Sequence, residues 1–105
     1  MLLSSSDTIA HAKITETLGL VKGQIVQSKH LGRDFMAGMK NIVGGEVKSY
    51  TAMISEARNI ATERMIEEAK KLGADAIVTV RYGASAVVQG TAEIIAYGTA
   101  VKIEK

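Results

Sequence analysis

Eight apolar residues between Val47 and Leu72 recur so that they share one side of a helix, and no other stretch constrains the fold as strongly. Set at about 100° intervals, Val47, Tyr50, Ile54, Ala57, Ala61, Met65, Ala69 and Leu72 fall within one arc of about 120°. Glu56, Asn59, Glu63, Glu67 and Lys70 lie opposite. The spacing predicts a helix over 46–72. Glu67 and Lys71 form a favourable i,i+4 pair, and Lys70-Lys71 followed by Gly73 marks the C-terminus. At 1.5 Å per residue such a helix is roughly 40 Å long, whereas a compact domain of this size is about 30–35 Å across. Either its ends project or neighbouring copies extend the surface it covers. Met53 and Ile60 add a second apolar flank, which favours neighbours.

Residues 13–28 are rich in β-formers, interrupted by Gly19 and Gly23. Isolated glycines in a strand pattern predict a bulge or bend, so this stretch reads as one long, kinked strand or a tight hairpin, with a short strand at 2–5 before it. His30-Leu31-Gly32-Arg33-Asp34 opens a short helix in which Phe35, Met39 and Ile42 recur at i, i+4, i+7, ended by Gly44-Gly45. After Gly73, residues 74–82 alternate as a strand, with Ala76, Val78, Val80 and Tyr82 on one face and Ile77, Thr79 and Arg81 on the other. Gly83-Ala84-Ser85 and Gln89-Gly90 bracket an irregular connection, and residues 91–103 form the last strand. The expected fold class is α+β, of β-α-β-β type, with an antiparallel sheet packed on one long helix.

That last strand carries an assembly argument. A sheet with one wet face alternates apolar with polar residues. Here Glu93, Ile95, Tyr97, Thr99, Val101 and Ile103 share one face and Ala92, Ile94, Ala96, Gly98 and Ala100 the other, so the strand is apolar or small on both sides. One helix covers one face. The economical cover for the second is another copy of the chain, with the short helix 33–42 as the alternative.

The 105 residues suffice for one domain and one core. Thirteen basic and eleven acidic residues leave a net charge of +2, without the basic stripe and stacking aromatics of a nucleic-acid binder. The absence of cysteine excludes disulfides, thiolate metal sites and cysteine nucleophiles. The start, Met1-Leu2-Leu3-Ser4-Ser5-Ser6-Asp7, lacks the basic and long apolar regions of a secretory signal. No run approaches the roughly 20 apolar residues of a membrane span. A cytoplasmic protein without membrane partners is expected.

Candidate chemistry is sparse. Zinc favours Cys or His at short spacing, and His11 and His30 stand far apart. Met36 and Met39 are spaced for one helix face and suit a soft ion such as Cu(I), although methionine at helical spacing is also ordinary core filler. His30, Met36 and Met39 are therefore the metal candidates, and His30 or Asp34 repeated around a ring would enlarge the donor set. Arg58 falls inside the apolar arc of the long helix, where an unpaired charge is costly. It either pairs with Glu46 or Glu93, reaches past its neighbours to solvent, or clamps an anion together with Arg33 or Arg81. Glu93 reads as a cross-strand partner of Arg81. Gly44-Gly45-Glu46 precedes a helix N-terminus, a natural anion site, but lacks the lysine and hydroxyl of a P-loop. No nucleophile–base pair is evident.

Several stretches together resemble the YbjQ family, labelled for heavy-metal binding. They are His30-Leu31-Gly32-Arg33-Asp34, Met36-Ala37-Gly38, Lys40-Asn41-Ile42-Val43-Gly44-Gly45-Glu46, Glu56-Ala57-Arg58, Arg64-Met65, Glu68-Ala69, Leu72-Gly73-Ala74-Asp75-Ala76 and Ala96-Tyr97-Gly98-Thr99-Ala100-Val101. The resemblance implies a dodecin-like fold assembled as a ring oligomer, typically a pentamer with a central barrel. Arg81-Tyr82-Gly83-Ala84-Ser85 departs from the polar or acidic stretch usual there. The expectation is a non-enzymatic homo-oligomer holding a small ligand or metal ion in pockets between subunits. A structural or protein-interaction module is the alternative, with an enzyme third.

Overall fold

A computed structural model describes residues 1–28, 48–85 and 91–104. Its elements are β1 (Leu2–Leu3), β2 (Lys13–Ser28), α1 (Lys48–Lys71), β3 (Ala76–Ser85) and β4 (Thr91–Glu104). The strands form one sheet in the order β1-β3-β4-β2. β3 and β2 flank β4 antiparallel, whereas β1 runs parallel to β3, pairing Leu2 with Ala76 and Leu3 with Ile77. The sheet is therefore mixed, not purely antiparallel as expected. No tight turn joins β1 to β3, so its direction is free of hairpin geometry, and the Ser4 N–H donating to the Ile77 carbonyl at 2.9 Å continues the parallel pairing past β1. The predicted short helix 33–42 lies outside the described residues.

The helix packs as its period demands. Ala57, Ala61, Met65 and Ala69 recur every fourth residue and are all fully buried. Three of these four are alanine, so the helix backbone approaches the sheet closely. Leu72 departs from the expected stripe and is 46% exposed. It sits in the terminating turn, where Gly73 takes a φ of 81°. There the Gly73 N–H donates to the Lys70 carbonyl at 3.0 Å and the Ala74 N–H to the Ala69 carbonyl at 3.1 Å, the pair of bonds that ends a helix with a left-handed glycine.

β2 is a single strand of 16 residues rather than a hairpin. Its register against β4 slips between Ile14 and Glu16 and again between Thr17 and Gly19, and Gly19 takes a φ of 127°, open to glycine. Beyond the second slip, Val21, Gly23 and Ile25 face the helix, with Val21 in the main core and Ile25 packed against it. On β4 the predicted alternation holds. Ile94, Ala96, Gly98 and Ala100 are buried on the helix side.

β3 breaks the alternation read from its sequence. Val78 pairs with Thr99 and Arg81 with Tyr97, so Thr79 and Val80 together oppose Gly98. This bulge turns Val80 and Tyr82 onto the helix side with Ile77, and leaves Ala76, Val78 and Arg81 behind. Gly83, Ala84 and Ser85 continue the strand instead of opening the connection. Thr79 has a φ of 54°, which costs a β-branched residue. The conformation is held from outside, because the N–H groups of Thr79 and Val80 donate to the carbonyls of Ser6 and Ser4, each at 2.9 Å. Replacing Thr79 by glycine should keep the bulge and raise stability by about 1 kcal/mol, the left-handed cost removed less the added freedom of the unfolded chain. A urea midpoint at or below that of the unmodified chain would contradict this.

Those same bonds decide what covers the second face of the sheet. Residues 4–12 fold back across it, and Ile9, Ile14 and Ile103 pack on a smaller core of Ala76, Val78 and Val101. The expectation that another copy covers this face is corrected at this end of the sheet, where Ile9 of the N-terminal segment packs on it. At the other end, among the described residues, neither the helix nor the N-terminal segment covers the face. Leu20 is 67% exposed, Val26 52% and Tyr97 38%, with Ile95 half-buried between them. No helix among the described residues is long and apolar enough to cross a membrane.

Candidate functional site

Helical periodicity places Ser55, Arg58, Asn59 and Thr62 on one side of α1, beside the buried alanine stripe. The bulge at Thr79 turns Tyr82 of β3 toward them. These five residues line an open groove of about 310 Å³. Thr62 ties its two walls together. Its hydroxyl donates to the Arg58 carbonyl at 2.7 Å, and its oxygen lies 2.7 Å from the Tyr82 hydroxyl. A hydroxyl carries one hydrogen. Because that of Thr62 is spent on Arg58, Tyr82 donates to Thr62 and keeps its own oxygen lone pairs for the groove. The groove thus presents a guanidinium, the amide of Asn59, the hydroxyl of Ser55 and a phenolic acceptor.

Arg58, singled out from the sequence for its place in the apolar arc, is exposed in the fold. Glu46 and Arg33, two of the partners open to it, lie outside the described residues, and its helix-surface neighbours Ile54, Ser55, Ala61 and Thr62 include no carboxylate. Glu93 is half-buried, and its carboxylate accepts a bond from the Gln24 side-chain amide at 3.0 Å. The expected Glu93–Arg81 pair is overturned. Glu93 stands opposite Ser85 and Val26, while Arg81 stands opposite Tyr97. The Arg81 guanidinium instead donates to the Ser5 carbonyl at 2.8 Å and the Val80 carbonyl at 2.9 Å, pinning the N-terminal segment. Register is the reason, because Arg81 meets β4 at Tyr97, four residues along from Glu93. His30, Arg33, Asp34, Met36, Met39 and Glu46 lie outside the described residues.

Among the described residues, no three His, Asp or Glu side chains come together to hold a metal ion. His11 lies in an exposed turn at a φ of 62°, and Met65 is fully buried in the core.

Sequence reasoning found Arg58 but missed Tyr82, Thr62, Asn59 and Ser55. The i, i+3, i+4, i+7 spacing of Ser55, Arg58, Asn59 and Thr62 was available as a polar stripe. No sequence signal marked Tyr82, whose side depends on the bulge.

Comparison with known proteins agrees along the whole chain. The YbjQ_1 family model, described as "Putative heavy-metal-binding", matches residues 1–104. A UPF0145 protein of Pseudothermotoga lettingae is 57% identical over 105 residues, covering 100% of this chain and 99% of that one. A UPF0145 protein of Thermotoga maritima is 53% identical with the same coverage. Among solved structures, a protein of unknown function of the DUF74 family from Pediococcus pentosaceus superposes with a TM-score of 0.66 at 17% identity, covering 99% of this chain and 98% of that one. That likeness concerns the fold.

Proposed function

The chain belongs to the YbjQ_1 family, and from that membership we propose that it is an oligomeric binding protein whose copies cover one another's open sheet face and hold a small ligand or metal ion between them. The observation that carries this reading is the set of apolar side chains Leu20, Val26, Ile95 and Tyr97, interleaved with Lys22, Gln24 and Glu93 on the sheet face away from the helix and, among the described residues, left uncovered by both the helix and the N-terminal segment. Apolar surface gathered on one sheet face marks an interaction site. The protomer's proportions support it. Its radius of gyration is 16.9 Å and its extents 52 × 25 × 17 Å, whereas a compact chain of this length has a radius near 13 Å. A thin, long protomer buries little surface alone and gains most by packing against copies. The ring arrangement, five-fold by family resemblance and dodecin-like in fold, is part of the same proposal. The metal form of the ligand rests on the family description and on His30, Met36 and Met39.

Native mass spectrometry of untreated protein tests subunit number and retained ligand together. We expect a mass of several 11.2 kDa copies at micromolar concentration. Leu20→Asp combined with Tyr97→Asp should weaken assembly at least about tenfold, since burying one such side chain is worth about 1.5–3 kcal/mol. A single-copy mass for the unmodified chain overturns the reading. Calorimetric titration with zinc, Cu(I) and silver decides the metal form. An assembly that retains nothing and stays silent in every titration would be a structural module instead.

A further inference from the structure

We propose that the groove between α1 and β3 is a binding site for a small organic oxyanion, with a carboxylate or phosphate seated on Arg58 and a neighbouring hydroxyl or amino group donating to the Tyr82 oxygen. The site lies within one chain, so it does not depend on the oligomeric reading.

Three observations carry it. First, Arg58 is exposed and lines the groove, with no carboxylate at the helix-surface positions that would neutralise it. A guanidinium offers five donors in a planar fork and no acceptor, the pattern that matches carboxylate and phosphate oxygens. Second, the hydrogen-bond direction through Thr62 is fixed: its proton goes to the Arg58 carbonyl, so Tyr82 donates inward and its oxygen accepts from whatever enters. The groove therefore asks for an anion and a donor side by side, not for an anion alone. Third, the wall that supplies Tyr82 exists only because Thr79 holds a left-handed conformation at the bulge. Strain maintained by two outside hydrogen bonds and used to aim one side chain is the kind of feature found at binding sites. The groove's volume of about 310 Å³ far exceeds the roughly 10–15 Å³ that a single water needs on the same measure, so it has room for a small organic molecule.

Ligand-observed NMR titration of the full chain tests it with inorganic phosphate, glycerol phosphate, acetate and glycolate. Saturable binding is expected, with glycerol phosphate tighter than inorganic phosphate, or glycolate tighter than acetate. Which pair responds identifies phosphate or carboxylate as the anion. Arg58→Gln should weaken binding at least tenfold and Arg58→Lys less. Tyr82→Phe should remove the advantage of the hydroxylated probe while leaving its plain counterpart unchanged. Ser55→Asp, a surface change that sets a carboxylate in the groove, should abolish binding with circular dichroism unaltered. Equal titrations of the unmodified chain and Arg58→Gln, or no saturable binding to any probe, overturn the proposal and leave the oligomeric reading untouched.

Discussion

Replacing Gly23 by alanine should cost about 3 kcal/mol, read as a lower urea midpoint at fixed protein concentration. A Cβ on Gly23 would run into the carbonyl oxygen of Ala61 and the amide nitrogen of Met65, and would lie 2.8 Å from the Arg64 Cβ. Two of these three are backbone atoms, so no rotamer change relieves the clash. The helix must lift off β2, and with it Ala57, Ala61, Met65 and Ala69 lose contact with the sheet. Overpacking of this kind costs typically about 1–3 kcal/mol and more where backbone must move. The gain of about 0.4–1 kcal/mol from a stiffer unfolded chain offsets only part. The contact is locked from both sides, since Arg64 donates to the Gln24 carbonyl and the Lys22 N–H reaches the Glu68 carboxylate at 3.4 Å. Gly83→Ala is the control. Its Cβ meets only the Cγ2 of Ile95 at 3.2 Å, the end of a side chain able to shift, and it should change stability by less than about 1 kcal/mol. A Gly23→Ala chain as stable as the unmodified one would mean that the helix is not seated on this strand.

Met65→Ala should cost a similar amount for the opposite reason. Met65 is fully buried and among the largest side chains so enclosed. Its helix neighbours in the core are Ala57, Ala61 and Ala69, too small to swing into a vacated space, and the Gly23 contact keeps the helix from sinking. A cavity that cannot collapse carries the full transfer and void terms, about 2–5 kcal/mol for methionine to alanine. Met65→Leu conserves volume and should lose less than about 1.5 kcal/mol. Denaturant melts of the two variants at equal concentration separate the effects. A Met65→Ala loss below 1 kcal/mol would show that this core closes on itself.

Both predictions fall where sequence and structure agree about the helix, and that agreement has a cause. Period is a local property: the fourfold recurrence of Ala57, Ala61, Met65 and Ala69 follows from 3.6 residues per turn whatever lies opposite. The alternation of β4 was legible for the same reason, because successive side chains of an extended strand must point to opposite faces. The end of the helix at Gly73 and the bend in β2 near Gly19 were marked by a residue type that alone takes those conformations cheaply.

The candidate site was legible only in its helical half. Arg58 stood out because a charge interrupted an apolar period. Tyr82 did not, since one extra residue in β3 reverses the side every later residue faces, and that residue is a threonine no propensity scale would place at a φ of 54°. The expected Glu93–Arg81 pair failed on long-range register, which sets Arg81 opposite Tyr97 and Glu93 opposite Ser85.

From the sequence by itself came one α+β domain, its long helix, its long second strand, the two faces of its last strand and its family. Tertiary structure decided the mixed sheet, the covering of one end of the second face by residues 4–12, the phase of β3 beyond Thr79 and hence the groove at Arg58. The division follows from range. Helix period and strand alternation are set by a residue's immediate neighbours, whereas register and bulges are settled by hydrogen bonds to segments more than seventy positions away, as Thr79 and Val80 are by Ser6 and Ser4.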